Sequence, residues 1–263
     1  MLSWTPAGLR VRGRAVLGPR NSLRMLALYA WVFGEPELRL LGHLCSRRKK
    51  SIDIGANRGI YAFLMRRHSA SCDAFEPNPQ LCAAMQIALG DRVAVHATAL
   101  SNRRGMAQLV VPLLHGKEID TSAAIDKTCT AFRTAWEGFD DVRLAEVPVC
   151  KLDDFGFTRV GCMKIDVEGH ELAVLEGSRE LLDRETPNLI IEIEQRHRGK
   201  AVQTVREFLK RLGYEGFFLL GGRLWPIATF SPQRHQDLRR RPYVNNFVFL
   251  HQSTPRPWFA RFS

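Results

Sequence analysis

Acidic side chains at the ends of short apolar runs are the first chemistry visible in this chain. In Asp53-Ile54-Gly55-Ala56-Asn57-Arg58-Gly59 an apolar run stops at glycines and a helical pattern follows. A strand that ends in glycines and opens a helix leaves backbone N–H groups free for a ligand, at the carboxyl edge of a parallel sheet. Asp53, Gly55, Asn57 and Gly59 are therefore candidate cofactor-binding residues. A dinucleotide turn needs G-x-G-x-x-G, but here the second glycine position is Asn57 and the run begins with an acid. A carboxylate at that place repels a pyrophosphate and suits a ligand bearing an ammonium and a sulfonium, a description that fits S-adenosylmethionine. The plain alternative is a tight turn that only packs helix on strand.

A second acid, Glu76, stands in Phe75-Glu76-Pro77-Asn78-Pro79, 17 residues beyond Gly59. An acid about twenty residues past a nucleotide-binding turn can accept the ribose hydroxyls of adenosine. NAD and S-adenosylmethionine share that group, so Glu76 alone does not separate them; with the Asp-led turn it favours the methyl donor. The third cluster is Lys164-Ile165-Asp166-Val167-Glu168-Gly169-His170-Glu171. Strand alternation puts Asp166 and Glu168 on one side, so one can position an acceptor while the other removes its proton. His170 is the only histidine adjacent to them, and an imidazole with its ordinary pKa near neutrality would make a usable base. The competing reading makes Glu168 a helix cap and His170 a surface residue. Asp166 with Glu192 or Glu194 offers oxygen ligands for Mg²⁺, yet the residues give no stronger metal signal and no metal is assigned.

These groups need elements to hold them. Short β-rich runs alternate with amphipathic stretches from residue 51, the pattern of one α/β domain with a mostly parallel sheet. Strands are expected at Ser51–Ile54, Asp73–Glu76, Arg92–Leu100, Gly105–Val111 (stopped by Pro112), Met163–Val167, Asn188–Ile193, Phe217–Leu220 and Phe247–Leu250, the last two as an antiparallel pair. Helices are expected over Leu81–Leu89, over a stretch with Val174, Leu175, Ser178, Leu181 and Leu182 on one face, and over Val202–Leu212, ended by Gly213. Residues 113–145 show no clean period and read as an insertion forming much of an acceptor pocket.

The net charge of +11 at first suggests a nucleic-acid or anionic-membrane partner. Its distribution argues otherwise. Residues 1–50 carry ten Lys or Arg against two acids and residues 195–263 thirteen against three, while residues 51–194 carry fifteen against twenty-two. The candidate site thus occupies an acidic centre. No nucleic-acid-binding motif is present and no nucleic-acid partner is expected; the basic flanks leave peripheral association with an anionic membrane, or capture of an anionic acceptor, as alternatives to a solvated surface. Six scattered cysteines without a CxxC pair suggest free thiols and a cytoplasmic setting. The apolar run Met25–Phe33 is too short to cross a bilayer, and no small-residue cleavage site follows it. It reads as an amphipathic helix packed on the domain, with a membrane-surface anchor as the alternative.

Seven stretches in order resemble the FkbM-type S-adenosylmethionine-dependent methyltransferases: Ile52 to Gly59, Ala74 to Pro79, Ala99-Leu100-Ser101, Thr121-Ser122, Val149 to Asp154, Lys164 to Glu171 and Asn246 to Phe249. The resemblance implies a Rossmann-like class I methyltransferase fold, a seven-stranded mostly parallel sheet flanked by helices. It divides the chain into a basic helical extension (1–45) and a methyltransferase domain (46–255). It places Asp53, Gly55 and Glu76 on the cofactor, Ala99 and Ser101 near its adenine, and Asp166, Glu168 and His170 toward the acceptor. It implies O-methylation of a small molecule, a sugar, a glycan or a polyketide. The other readings are an NAD-dependent oxidoreductase and a basic module binding nucleic acid or membrane. The first 45 residues and Arg239-Arg240-Arg241 match less closely, and no oligomeric state follows from the sequence.

Overall fold

The computed structural model describes residues 7–118, 123–125, 139–195, 199–237, 239 and 242–262, with the side chains of 7–17 left aside. Thr121-Ser122, Cys129, Arg240, Arg241 and much of the expected insertion lie outside the described residues. In chain order the elements are α1 (Ala7–Phe33, broken at Gly18), α2 (Leu41–Leu44), β1 (Lys50–Ile54), α3 (Ile60–Met65), β2 (Ser71–Phe75), α4 (Pro79–Leu89), β3 (Ala94–His96), β4 (Ala99–Leu100) and β5 (Gly105–Leu114). There follow β6 (Lys117–Glu118), β7 (Ala124–Ile125), β8 (Asp141–Cys150), β9 (Val160–Ile165), α5 (Glu171–Glu176), α6 (Arg179–Glu185), β10 (Asn188–Glu192), α7 (Ala201–Arg211), β11 (Tyr214–Leu220), β12 (Arg223–Pro226), α8 (Pro232–His235) and β13 (Asn246–His251).

The main sheet runs β12-β11-β13-β10-β9-β1-β2-β3. Its five strands from β10 to β3 are parallel, and β13, β11 and β12 close it in antiparallel fashion. β12, which pairs only with β11 among the described residues, adds an eighth strand to the seven expected. Every residue of β9 is buried, as a central parallel strand covered on both faces requires. Alternate residues feed two cores: Leu189, Ile191, Phe247 and Phe249 enter one, and Ile190, Val248 and Leu250 the other. Each such side chain withdrawn from water contributes about 1.5–3 kcal/mol. The chain leaves β1 toward β2 and β3 and returns on its other side as β9, so the switch point of the sheet lies between β1 and β9.

Four expectations change. The strand expected over Arg92–Leu100 divides: β3 stays beside β2, and β4 leaves to pair with β8 in a second sheet of order β4-β8-β5-β6, with β7 on β5. Pro112 does not stop β5. Among the described residues it is paired only with Val142 of β8, and the other side of β5 has no ladder there, so a missing N–H is tolerated. The segment without a clean period, 113–145, runs into β8, ten residues antiparallel to β5; none of residues 141–145 of β8 is buried, so its first half shows no core face. The expected long helix after β9 is two, α5 and α6, and the break has a steric cause. At Gly177 the Ser101 carbonyl oxygen approaches so closely that a Cβ would lie 1.9 Å from it. The Asp153 carboxylate then caps α6, accepting from the amides of Glu180 and Leu181 at 3.0 Å each. Gly177→Ala should therefore lower stability by about 3 kcal/mol, read as a shifted urea midpoint at unchanged slope.

Candidate active site

A cavity of about 310 Å³ opens at the carboxyl ends of β1 and β9, at the switch point. Facing it are Glu35, Asp53, Glu76, Asp166, Glu168 and Glu192 against two cations, Arg58 and Lys164. The turn after β1 carries three left-handed residues, Gly55 (φ 75°), Asn57 (φ 51°) and Gly59 (φ 78°). At Gly55 glycine is also a steric requirement, because a Cβ would fall 1.8 Å from the Asp166 carbonyl oxygen. The two strand-end turns are thus in backbone contact, and the Asp166 amide donates to the Ile54 carbonyl at 2.9 Å. Glu168 is likewise left-handed (φ 52°). Strained backbone at both turns that line one cavity is a mark of a functional site.

Glu76 is buried with both oxygens engaged, Oε2 accepting from the Asn57 amide (2.8 Å) and Oε1 from the Asn78 amide (2.9 Å). These bonds fix the carboxylate and leave lone pairs toward the cavity. Asp53, also buried, accepts from the Ala62 amide at 2.8 Å, in the first turn of α3. Burial pushes its carboxyl up to about 7, raised further by Asp166 and Glu35, against the opposing pull of the Ala62 amide and Lys164. Ala99 lines the cavity on the side of the second sheet, with Leu109, Ala124 and Ile125. Ser101 and His170 lie off that wall and are joined to each other, Ser101 Oγ and His170 Nε2 being 2.8 Å apart in a buried contact. His170 is not a surface residue, and it stands at the start of α5, which begins at Glu171. Asp166 and Glu168 both face the cavity, although β9 ends at Ile165 and it is the turn, not strand alternation, that brings them together.

Lys164 is the residue whose role the sequence reading missed. Its side chain is 1% exposed, and Nζ donates to Asn246 Oδ1 at 3.0 Å and lies 3.4 Å from Asp166 Oδ2 and 3.9 Å from Glu192 Oε2, over the ring of Tyr61. Burial works against its charge, yet Asp166, Glu192, Glu35 and Asp53 outweigh this and hold its pKa above the ordinary value. Burial raises Glu192, and the Asp166 charge adds to that. The cation between Asp166 and Glu192 is therefore this ammonium; among the described residues no group of three or more His, Cys, Asp or Glu is arranged to hold a metal. Glu35, which follows α1, accepts from Tyr61 Oη at 2.6 Å and reaches the same cluster. A lysine alone in a run of buried residues is the signal that announces such a cluster, since an unpaired buried charge is not tolerated.

The profile of the Methyltransferase FkbM domain matches residues 53–215. The chain belongs to the FkbM methyltransferase domain family. The FkbM domain thus runs from the end of β1 to the start of β11, and its methyl donor is S-adenosylmethionine. Among solved structures, similarity is found to the methyltransferase FkbM from Methylobacillus flagellatus KT (16% identity, TM-score 0.49, covering 88% of this chain and 54% of that one). Others are an rRNA methylase from Streptococcus thermophilus (11%, TM-score 0.44, 82% and 93%) and a SAM-dependent methyltransferase from Aquifex aeolicus (13%, TM-score 0.41, 89% and 97%). This chain therefore spans about half the length of the Methylobacillus protein. No curated protein matches it. The fold is the Rossmann-like class I methyltransferase fold, one strand larger than expected. The donor set fits the cofactor of the FkbM domain: an acid-rich wall for a cationic ligand, a fixed carboxylate at Glu76, and an apolar slot from Phe75 to Leu100.

A raised acid is protonated in the folded state at pH values where the unfolded chain has already lost its proton. Asp53 ionises near 3.8 when unfolded and about 7 when folded, so its stabilising effect is complete below pH 3.8 and fades as pH rises to about 7. Glu37, also raised by burial to about 7, acts in the same sense. Asp53→Asn in the ligand-free protein should therefore remove on the order of 2–4 kcal/mol from the fall in stability between pH 4 and 8, measured by urea unfolding.

Proposed function

We propose that this protein is an O-methyltransferase acting on a hydroxyl of a sugar, a glycan or a polyketide-like small molecule. The observation that carries the reading is the lining of the cavity, six carboxyl groups, with burial raising Asp53 and Glu192, against two cations. A phosphate-rich acceptor such as RNA meets repulsion there, whereas a neutral polyhydroxylated acceptor finds hydrogen-bond acceptors at every side. The same wall disfavours the pyrophosphate of NAD, which leaves the oxidoreductase reading without support. The five described cysteines are free, in keeping with a reducing compartment such as the cytoplasm, and no described helix is long and apolar enough to cross a membrane.

In this reading Asp53, Gly55, Asn57, Gly59, Glu76 and Ala99 form the cofactor half. The cofactor supplies an electrophilic methyl group on a sulfonium, and the protein mainly aligns donor and acceptor. Asp166 takes the hydroxyl proton and Glu168 orients the acceptor. The Lys164 ammonium, 3.4 Å from Asp166 Oδ2, holds that carboxylate in place beside the acceptor. Ser101 and His170 act one step back: their hydrogen bond ties the end of β4 to the start of α5, and so sets the turn that presents Asp166 and Glu168.

Calorimetry with S-adenosylmethionine tests the cofactor half, and a methyl-transfer screen against hydroxylated saccharides tests the rest. Glu76→Ala should weaken cofactor binding at least about tenfold, the scale of a lost charged hydrogen bond. Asp166→Asn should bind the cofactor within about threefold of the parent and lose about 10²–10⁴ in turnover. Cofactor affinity indifferent to Glu76→Ala would sink the site assignment.

A further inference from the structure

We propose that the outer face of α1, together with the arginine-lined cavity beside it, docks this protein on an anionic phospholipid surface. The inference does not rest on the methyl-transfer reading. α1 packs inward through Leu23 and Ala27, against α3 and α4. That accounts for one face. On the others Met25, Leu28 (63% exposed), Tyr29, Trp31 (47%), Val32 and Phe33 (76%) stand in solvent, and no charged residue interrupts the sequence from Met25 to Gly34. A helix that only packed on the domain would turn polar residues outward.

The charge is gathered next to this face. A cavity of about 290 Å³ is lined by Arg20, Arg24, Arg66 and Arg92, with Asp91 its single acid. Among the described residues none of the four arginines makes an ion pair. Arg20 donates to the Ile87 carbonyl (3.4 Å), Arg24 to Asn21 Oδ1 (3.5 Å), and Arg66 to the Phe63 carbonyl (3.1 Å) while stacking on the Phe63 ring. Burial and then the charges of Arg92, Arg67 and Arg24 disfavour the charge on Arg66, so the cluster is one that an anion relieves. Guanidinium groups are the donors best matched to a phosphate.

The two features form one stripe. Arg20, Arg24, Leu28 and Trp31 fall on successive turns of the helix, so cations precede apolar side chains along a single line. Arginines at headgroup level with Trp, Tyr and Leu beyond them are the composition of a helix lying in a membrane interface. A second copy of this chain is a poorer occupant. A two-fold contact through this stripe would bring arginine clusters of like charge together, in a chain that already carries +11.

The test is co-sedimentation of the full chain with vesicles of phosphatidylcholine alone and of phosphatidylcholine mixed with phosphatidylglycerol, at low and at physiological salt. Retention should require phosphatidylglycerol and weaken with salt. The double variant Arg20→Gln/Arg24→Gln should lower partitioning about fivefold per charge removed. Leu28→Ser/Phe33→Ser should lower it about tenfold or more, with an unchanged melting curve because both side chains are exposed. Three results would overturn the proposal: no retention on the mixed vesicles at low salt, retention equal in parent and both variants, or vesicle indifference accompanied by another occupant. That occupant would show as a dimer broken by Leu28→Ser/Phe33→Ser in sedimentation velocity, as stabilisation by inorganic phosphate lost in Arg20→Gln/Arg24→Gln, or as retention on single-stranded RNA.

Discussion

One buried ammonium sets the terms for the centre of this molecule. Asp166, Glu192, Glu35 and Asp53 all act on Lys164, and all four raise its pKa. Without it, the carboxyl groups of Asp53, Asp166, Glu192 and Glu35 would face one another with no buried counter-charge between them. With it, the centre stays acidic but not intolerably so, and the remaining negative charge is available to a cationic ligand. Asn246 of β13 and Tyr61 of α3 complete the shell of the lysine, so elements far apart in sequence converge on one atom.

The same cavity shows how the two sheets and the N-terminal segment divide the work. The main sheet supplies charge and the strained turns; the second sheet supplies an apolar wall through Ala99, Leu109, Ala124 and Ile125. Leu26 of α1 and Glu35 just beyond it close a further side. The segment before residue 45 is thus part of the site wall as well as a bearer of basic charge, a role that the acidic centre between basic flanks did not suggest.

Much of this was legible beforehand for a definable reason. β1, β2, β9 and β10 are central strands whose continuous burial writes itself into runs such as Ser51–Ile54, and the turns after them need glycine where two backbones touch. Asp53, Glu76, Asp166 and Glu168 could be named because acids at strand ends stand out against those runs. β8 could not be read, since its half-exposed residues match the partner strand β5 rather than a core. The break between α5 and α6 was also hidden, because it comes from the Ser101 carbonyl, a backbone atom with no letter of its own. Lys164 was in view within its motif, but its meaning depends on Glu35 and Glu192, which only the fold brings near.

The separation of the sheets has a consequence for how such a protein changes over time. β4 leaves the main sheet after Thr98, and no ladder hydrogen bond joins the two sheets among the described residues. Residues lost or gained between β5 and β8 therefore leave the register of the parallel strands untouched. The parallel strands and their strained turns can therefore hold their geometry while the connections of the second sheet change in length.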